Sequence, residues 1–246
     1  MNVAGPVSRV VSLVPSLTES VAATNLEALV AATDWCTHPG DLPVARVRGT
    51  KNPNVRKIVE LRPDLVLANK EENRRLDVER LREAGIPVWV TEIETVEQAF
   101  SSLRRMFEQA LGWGEPEWLT RARDAWAEPV DGAPVRVAIP IWRDPWMVVG
   151  SRTFTSDLAG RLGLVNLFGE SSDRYPTVTV EEIAERGPDV VVLPDEPYQF
   201  TADDGPEAFP TLPTALVEGR ALTWYGPSLL TARDDITRAV RQPIAQ

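Results

Sequence analysis

The strongest constraint on the fold is an internal repeat. Val55-Arg-Lys-Ile58-Val-Glu60-Leu-Arg-Pro63-Asp64-Leu-Val66-Leu realigns at a constant offset with Val180-Glu-Glu-Ile183-Ala-Glu185-Arg-Gly-Pro188-Asp189-Val-Val191-Val. Chance supplies Pro-Asp-Val-Val runs readily. It supplies Val, Ile, Glu, Pro, Asp and Val in one register far less readily. Each copy makes the same physical statement: a short helix packs by its isoleucine, Pro-Asp turns the chain, and a β-rich run enters a sheet. Arg9-Val-Val and Arg136-Val-Ala are the matching first strands at nearly the same offset. A chain of 246 residues has room for two small lobes built this way.

The pattern around the repeat is βα alternation. Strands are expected over 10–14, 28–33, 65–68 and 88–90, with helices over 17–24, 55–61, 76–84 and 96–111; Ser16 is the expected N-cap of the first helix and Gly85 closes the third. The pattern restarts with strands over 135–139, 190–193 and 221–224 and helices over 154–162, 180–186 and 228–241. Pro116 and Pro129 frame one helix between the copies, roughly 20 Å long. The fold class expected is therefore α/β, with a lobe at 1–112, a connecting helix at 113–130 and a lobe at 131–246. Each lobe has a central parallel sheet, and a ligand cleft lies between the lobes.

Ligands of open α/β sheets bind beyond the carboxyl ends of the strands. The loops there carry Pro15 and Ser16, then Trp35, Cys36 and His38, and then Asn69, Lys70 and Glu71. In the second copy they carry Trp142 and Arg143, Asp195 and Glu196, and Trp224 and Tyr225. Thr50, Lys51 and Tyr175 precede the repeated helices. The register pairs Glu71 with Glu196. Of the eight tryptophans, Trp35, Trp142, Trp146 and Trp224 fall in or beside these loops, which suits a pocket for a flat or bulky organic ligand. Other readings stay open: Glu71 and Glu72 are also at home at a helix N-terminus, Trp142 and Trp146 in a core, Cys36 as an inert small residue, and His38 in a loop cap.

Composition removes other classes. The formal charge of −10 argues against nucleic acid and anionic membranes. No apolar run reaches about eighteen residues, so no span is expected. One cysteine and one histidine exclude an internal disulfide and a His-rich metal site. Cys36 and His38 could hold a metal ion, or serve an enzyme, only with carboxylates such as Asp34 or Glu71 completing the set. The start of the chain has no basic region, long apolar run or cleavage motif, so a cytoplasmic protein is expected as given, and a periplasmic or extracellular one if a leader has been removed. A monomer is expected.

Arg9-Val-Val-Ser-Leu-Val-Pro-Ser-Leu-Thr-Glu19, Arg62-Pro-Asp-Leu-Val-Leu-Ala, Ala84-Gly-Ile-Pro-Val and the second Pro-Asp-Val-Val-Val resemble the helical-backbone (class III) periplasmic substrate-binding proteins, most of all their cobalamin-binding branch. The resemblance implies two Rossmann-like lobes joined by one helix. It also implies non-catalytic binding of a metal chelate (a cobalamin-like corrinoid, haem or a ferric siderophore) with no required cofactor, by a protein working in an ABC importer or, without a leader, inside the cell. Such proteins dock on the permease through a surface glutamate from each lobe. Glu181 stands at that place in the second copy; Arg56 stands there in the first, a reversed charge expected to weaken docking.

Overall fold

The computed structural model describes residues 5–128, 130 and 132–243. Pro129, expected to close the connecting helix, and the expected lobe ends at 1, 131 and 246 lie outside them. The chain forms two compact units. The first comprises residues 1–93, 98–122 and 225–227, and the second residues 94–97, 123–224 and 228–246.

The first unit is a five-stranded parallel sheet. Its strands are β1 (Val10–Ser12), β2 (Leu29–Ala32), β3 (Ala45–Arg46), β4 (Leu65–Asn69) and β5 (Val88–Thr91), in the order β3-β2-β1-β4-β5. Every residue of β1 and β4 is buried, as expected of a parallel strand covered on both faces. The helices are α1 (Pro15–Asn25), α2 (Val55–Leu61), α3 (Arg75–Glu83) and α4 (Val96–Arg105), which runs on as a π-helical turn at Met106–Leu111 and stops at Gly112 in the left-handed conformation. The end residues of α1 differ from expectation. Pro15, whose fixed φ suits a first helical position, opens the helix, Val14 is its N-cap, and Ser16 lies within the first turn.

Helix α5 (Glu117–Ala125) follows, at nine residues about 14 Å long, shorter than expected. The second unit has a four-stranded parallel sheet of β6 (Val135–Ala138), β9 (Leu164–Asn166), β10 (Val190–Pro194) and β11 (Thr214–Val217), in the order β11-β10-β6-β9. An antiparallel hairpin, β7 (Pro140–Trp142) with β8 (Met147–Val148), leaves the end of β6. The helices are α6 (Phe154–Arg161), α7 (Val180–Glu185), α8 (Gly219–Thr223) and α9 (Leu229–Arg241). The strand expected over 221–224 is a correction: those residues belong to α8 and the chain just after it. The Asp195 carboxylate accepts from the Gly219 amide at 2.6 Å and holds the start of that helix, while the preceding segment, with Ala215 and Val217 buried and Leu216 exposed, forms the edge strand.

The repeat is structural. β1 pairs with β4 as β6 pairs with β10. Ile58 on α2 and Ile183 on α7 are both fully buried, each in its unit's core. The Pro-Asp turns do the same work twice. The Arg9 amide donates to the Asp64 carboxylate at 2.9 Å and the Arg136 amide to Asp189 at 2.7 Å. The Arg9 guanidinium reaches the Leu61 carbonyl, and that of Arg136 the Arg186 carbonyl. The sheets thus carry the same Arg–Asp clamp at their amino ends. The copies differ between β4 and β5, where the first unit uses α3. Between β10 and β11 the second uses a loop with one 3₁₀ turn at Pro206–Ala208. Val78 and Leu81 of α3 pack with Val66 and Ala68, whereas Phe200 and Phe209 of the loop pack with Val191 and Leu193. Two aromatic rings stand in for a helix.

Candidate functional site

In the first unit the expected residues collect at the carboxyl edge of the sheet. Asn69, the last residue of β4, and Asn73 tie its loops together. Asn73 accepts from the Asn69 amide at 2.8 Å and donates to the carbonyls of Leu13, beyond β1, and Thr50, beyond β3. Asn69 Oδ1 accepts from the Glu71 amide at 2.8 Å, and its Nδ2 donates to Thr91 Oγ1 at the end of β5. Lys51 Nζ donates to the Glu71 carbonyl, and Lys70 pairs with Glu92. Arg46 donates to the carbonyls of Thr33 and Cys36 at 2.9 Å each, fixing the loop that bears Trp35. That tryptophan is 66% exposed. A side chain at Gly49 would meet Asn52 Oδ1 at 2.6 Å and the Trp35 indole nitrogen at 3.2 Å, so the glycine lets the β3 loop approach the indole.

Besides the buried Asn69, three expected residues lie inward in this unit. The Cys36 thiol is fully buried against Thr18 Oγ1 at 3.0 Å and Thr33 Oγ1 at 3.1 Å. Burial pushes it up, against the lowering effect of the two hydroxyls, so it stays a protonated thiol at neutral pH. Tyr225 is buried too. Burial, and next the charge of Glu72, hold its phenol well above the ordinary value, with the Ser16 and Thr91 hydroxyls working the other way. Ser16 is 3% exposed and Pro15 half-buried. His38 is half-buried, with Nδ1 3.2 Å from Thr37 Oγ1. Among the described residues no three of His, Cys, Asp and Glu group as a metal site.

In the second unit the β7–β8 hairpin carries the aromatic residues. The Trp142 indole, 44% exposed, meets the Tyr198 ring edge-to-face at 5.6 Å. Trp146 stacks on Phe200 at 5.8 Å, with Arg143 above it at 5.2 Å. Arg143 also pairs with Asp204 and, at 2.7 Å, with Glu207; Asp204 accepts from the Tyr198 hydroxyl at 2.7 Å. These bonds hold both carboxyls below their ordinary values: Asp204 chiefly through the Tyr198 hydroxyl, Glu207 chiefly through Arg143. Glu196 does the opposite. Burial raises it, against the lowering bonds from Thr223 and Trp224, and the Asp195 charge adds to the rise. Asp195 and Glu196 are thus structural anchors for α8 and for the buried Trp224. Tyr175 is half-buried beside a turn where a side chain at Gly150 would strike the Asp173 carbonyl at 2.2 Å.

Reading the sequence did not single out Asn73, Thr91, Tyr198 or Asp204. Asn69-x-x-x-Asn73, one residue pair spanning the start of a loop, carries a signal for the first. The other three depend on contacts with residues far along the chain, which no local pattern shows.

No family model matches the sequence. The vitamin B12-binding protein of Pectobacterium atrosepticum is 26% identical over 93% of this chain and 86% of its own length. The crystal structure of the periplasmic vitamin B12 binding protein BtuF of Vibrio cholerae superposes with a TM-score of 0.76 at 21% identity, over 98% of this chain and 99% of that one. The fold is that of the class III substrate-binding proteins. A periplasmic heme binding protein of Pseudomonas aeruginosa shares it, with a TM-score of 0.77 at 22% identity over 95% of this chain and 92% of the other. No helix among the described residues is long and apolar enough to cross a membrane.

Proposed function

We propose that this chain binds a metal chelate without transforming it: a corrinoid of the cobalamin type first, with haem and a ferric siderophore as alternatives of the same class. The observation that carries this reading is the gathering of Trp35, Thr50, Lys51, Asn69 and Glu71 at one carboxyl edge, held by the Asn69–Asn73 bonds around an exposed indole. Trp142 and Arg143, on the hairpin of the second unit, are the further candidates. The names of the relatives support the ligand class. Lobes at 1–112 and 131–246 with the connection at 113–130, and a monomeric state, belong to the same proposal. Titration with cyanocobalamin, haemin and a ferric siderophore, followed by tryptophan fluorescence, tests it. A saturable change with one of them is expected; none with any of them overturns the reading.

A role in an ABC importer is the second reading. Glu181 is exposed in the first turn of α7, where it fits a docking surface. Arg56, at the matching place on α2, is 90% exposed and pairs with Glu60 at 2.9 Å. Arg56→Glu should strengthen capture of a class III importer permease. Equal capture by wild type and variant would remove the docking role. Cell fractionation decides between a cytoplasmic and a periplasmic protein.

A further inference from the structure

The β7–β8 hairpin is a two-stranded sheet outside the four-stranded sheet of the second unit, and it bears an exposed tryptophan. A two-stranded hairpin alone is marginal in water. Here it is braced from below by the Trp146–Phe200 stack and from the side by Arg143, bonded to Asp204 and Glu207 of the β10–β11 loop. The same loop supplies Tyr198. Its hydroxyl is fixed by Asp204 at 2.7 Å, and its ring stands at 80° to the Trp142 indole, 5.6 Å away. Tyr198 also packs on Phe200 at 4.7 Å, so the ring is held at its hydroxyl and along its body. At 44% exposed, the indole keeps surface on which a ligand can stack. The aromatic pair contributes to the fold, and it also fixes the direction of an indole that stays 44% exposed, which is the kind of support a preorganised binding residue needs.

We propose that Tyr198 is a positioning residue that sets the Trp142 indole as a stacking platform for the flat conjugated face of a macrocyclic chelate. The proposal rests on the chelate-binding reading and adds a selectivity to it. A planar macrocycle uses the platform; a chelate with no flat face, such as a ferric tris-hydroxamate, does not.

The test compares haemin, whose porphyrin is flat and conjugated, with a ferric tris-hydroxamate on the full chain and on Trp142→Ala, Tyr198→Leu and Tyr198→Phe, each checked for an unchanged thermal midpoint. Trp142→Ala and Tyr198→Leu should weaken binding of the macrocycle by about tenfold, the size of an aromatic contact. Tyr198→Phe, which keeps the ring edge, should restore it to within about threefold. Binding of the tris-hydroxamate should not move. Three results overturn the proposal: macrocycle affinity unchanged in Tyr198→Leu, equal loss for both chelate types, or equal loss in the Leu and Phe variants. Should Tyr198→Leu fail to fold, Trp142→Ala decides, because an unchanged macrocycle affinity there removes the platform. Wild-type protein that binds the tris-hydroxamate alone refutes the platform while leaving the chelate reading intact. Wild-type protein that binds no chelate refutes both.

Discussion

Cys36 shows how one side chain's surroundings decide its chemistry. A thiol fully buried between two threonine hydroxyls is neither a nucleophile nor a ready metal ligand. It should therefore resist a thiol reagent in the native protein and react fully in denaturant; rapid native labelling would contradict the burial. Glu196 is the converse case, an acid whose carboxyl is raised by burial. A raised acid binds its proton more tightly folded than unfolded, so its charged form costs stability above the folded value, and that cost disappears as pH falls through it. Glu196→Gln keeps an acceptor for Thr223 and removes the buried charge. Thermal unfolding should show the variant at least as stable as wild type at pH 7, with the advantage lost at pH 4. Asp64 has the opposite sign. Some burial raises it, but bonds from the Ser8 amide and hydroxyl and the Arg9 amide outweigh that and lower it. Asp64→Asn should cost about 1 kcal/mol at neutral pH and less in acid, checked by denaturant titration at both.

At the scale of elements, the repeated helices are pinned by one residue each. Ile58 and Ile183 are the residues that α2 and α7 bury completely. Truncating either to alanine should cost about 2–5 kcal/mol, read as a shift in the denaturant midpoint. This is also where the sequence was most legible. The isoleucines, the Pro-Asp turns and the β-rich runs lie within a few residues of one another, so a local pattern carries them, and α2 ends where its apolar spacing ends. The short strands β3, β7, β8 and β9 escaped, being two or three residues long. So did β11. The run Ala221–Trp224 is as apolar as a strand, and the start of the helix it enters is held by Asp195, a residue just beyond the end of another strand. The candidate loops were legible because topology fixes the carboxyl edge of a parallel sheet. Which of their side chains turn inward was not, as Cys36, Trp224 and Tyr225 show.

For the whole molecule, the lowered carboxyls of Asp64, Asp204 and Glu207 share one direction. Groups lowered in the folded state stabilise it above their unfolded values, and this contribution is lost as pH falls through the folded ones. The thermal midpoint should therefore fall as the pH is taken from 4 down towards 2, through and below the ordinary carboxylate values, and a midpoint that holds over that interval would contradict the three lowered carboxyls. The Arg–Asp clamps have a further consequence. They fasten each sheet at its amino end, through backbone carbonyls and amides that any loop sequence leaves in place, while the ligand-facing candidates sit at the other end. Such a chassis tolerates exchange of the exposed side chains on its recognition loops, so a library randomised at Trp35, Thr37 and Trp142, with the buried Cys36 and the bracing Arg143 and Trp146 kept, is a practical starting point for receptors of new cargo.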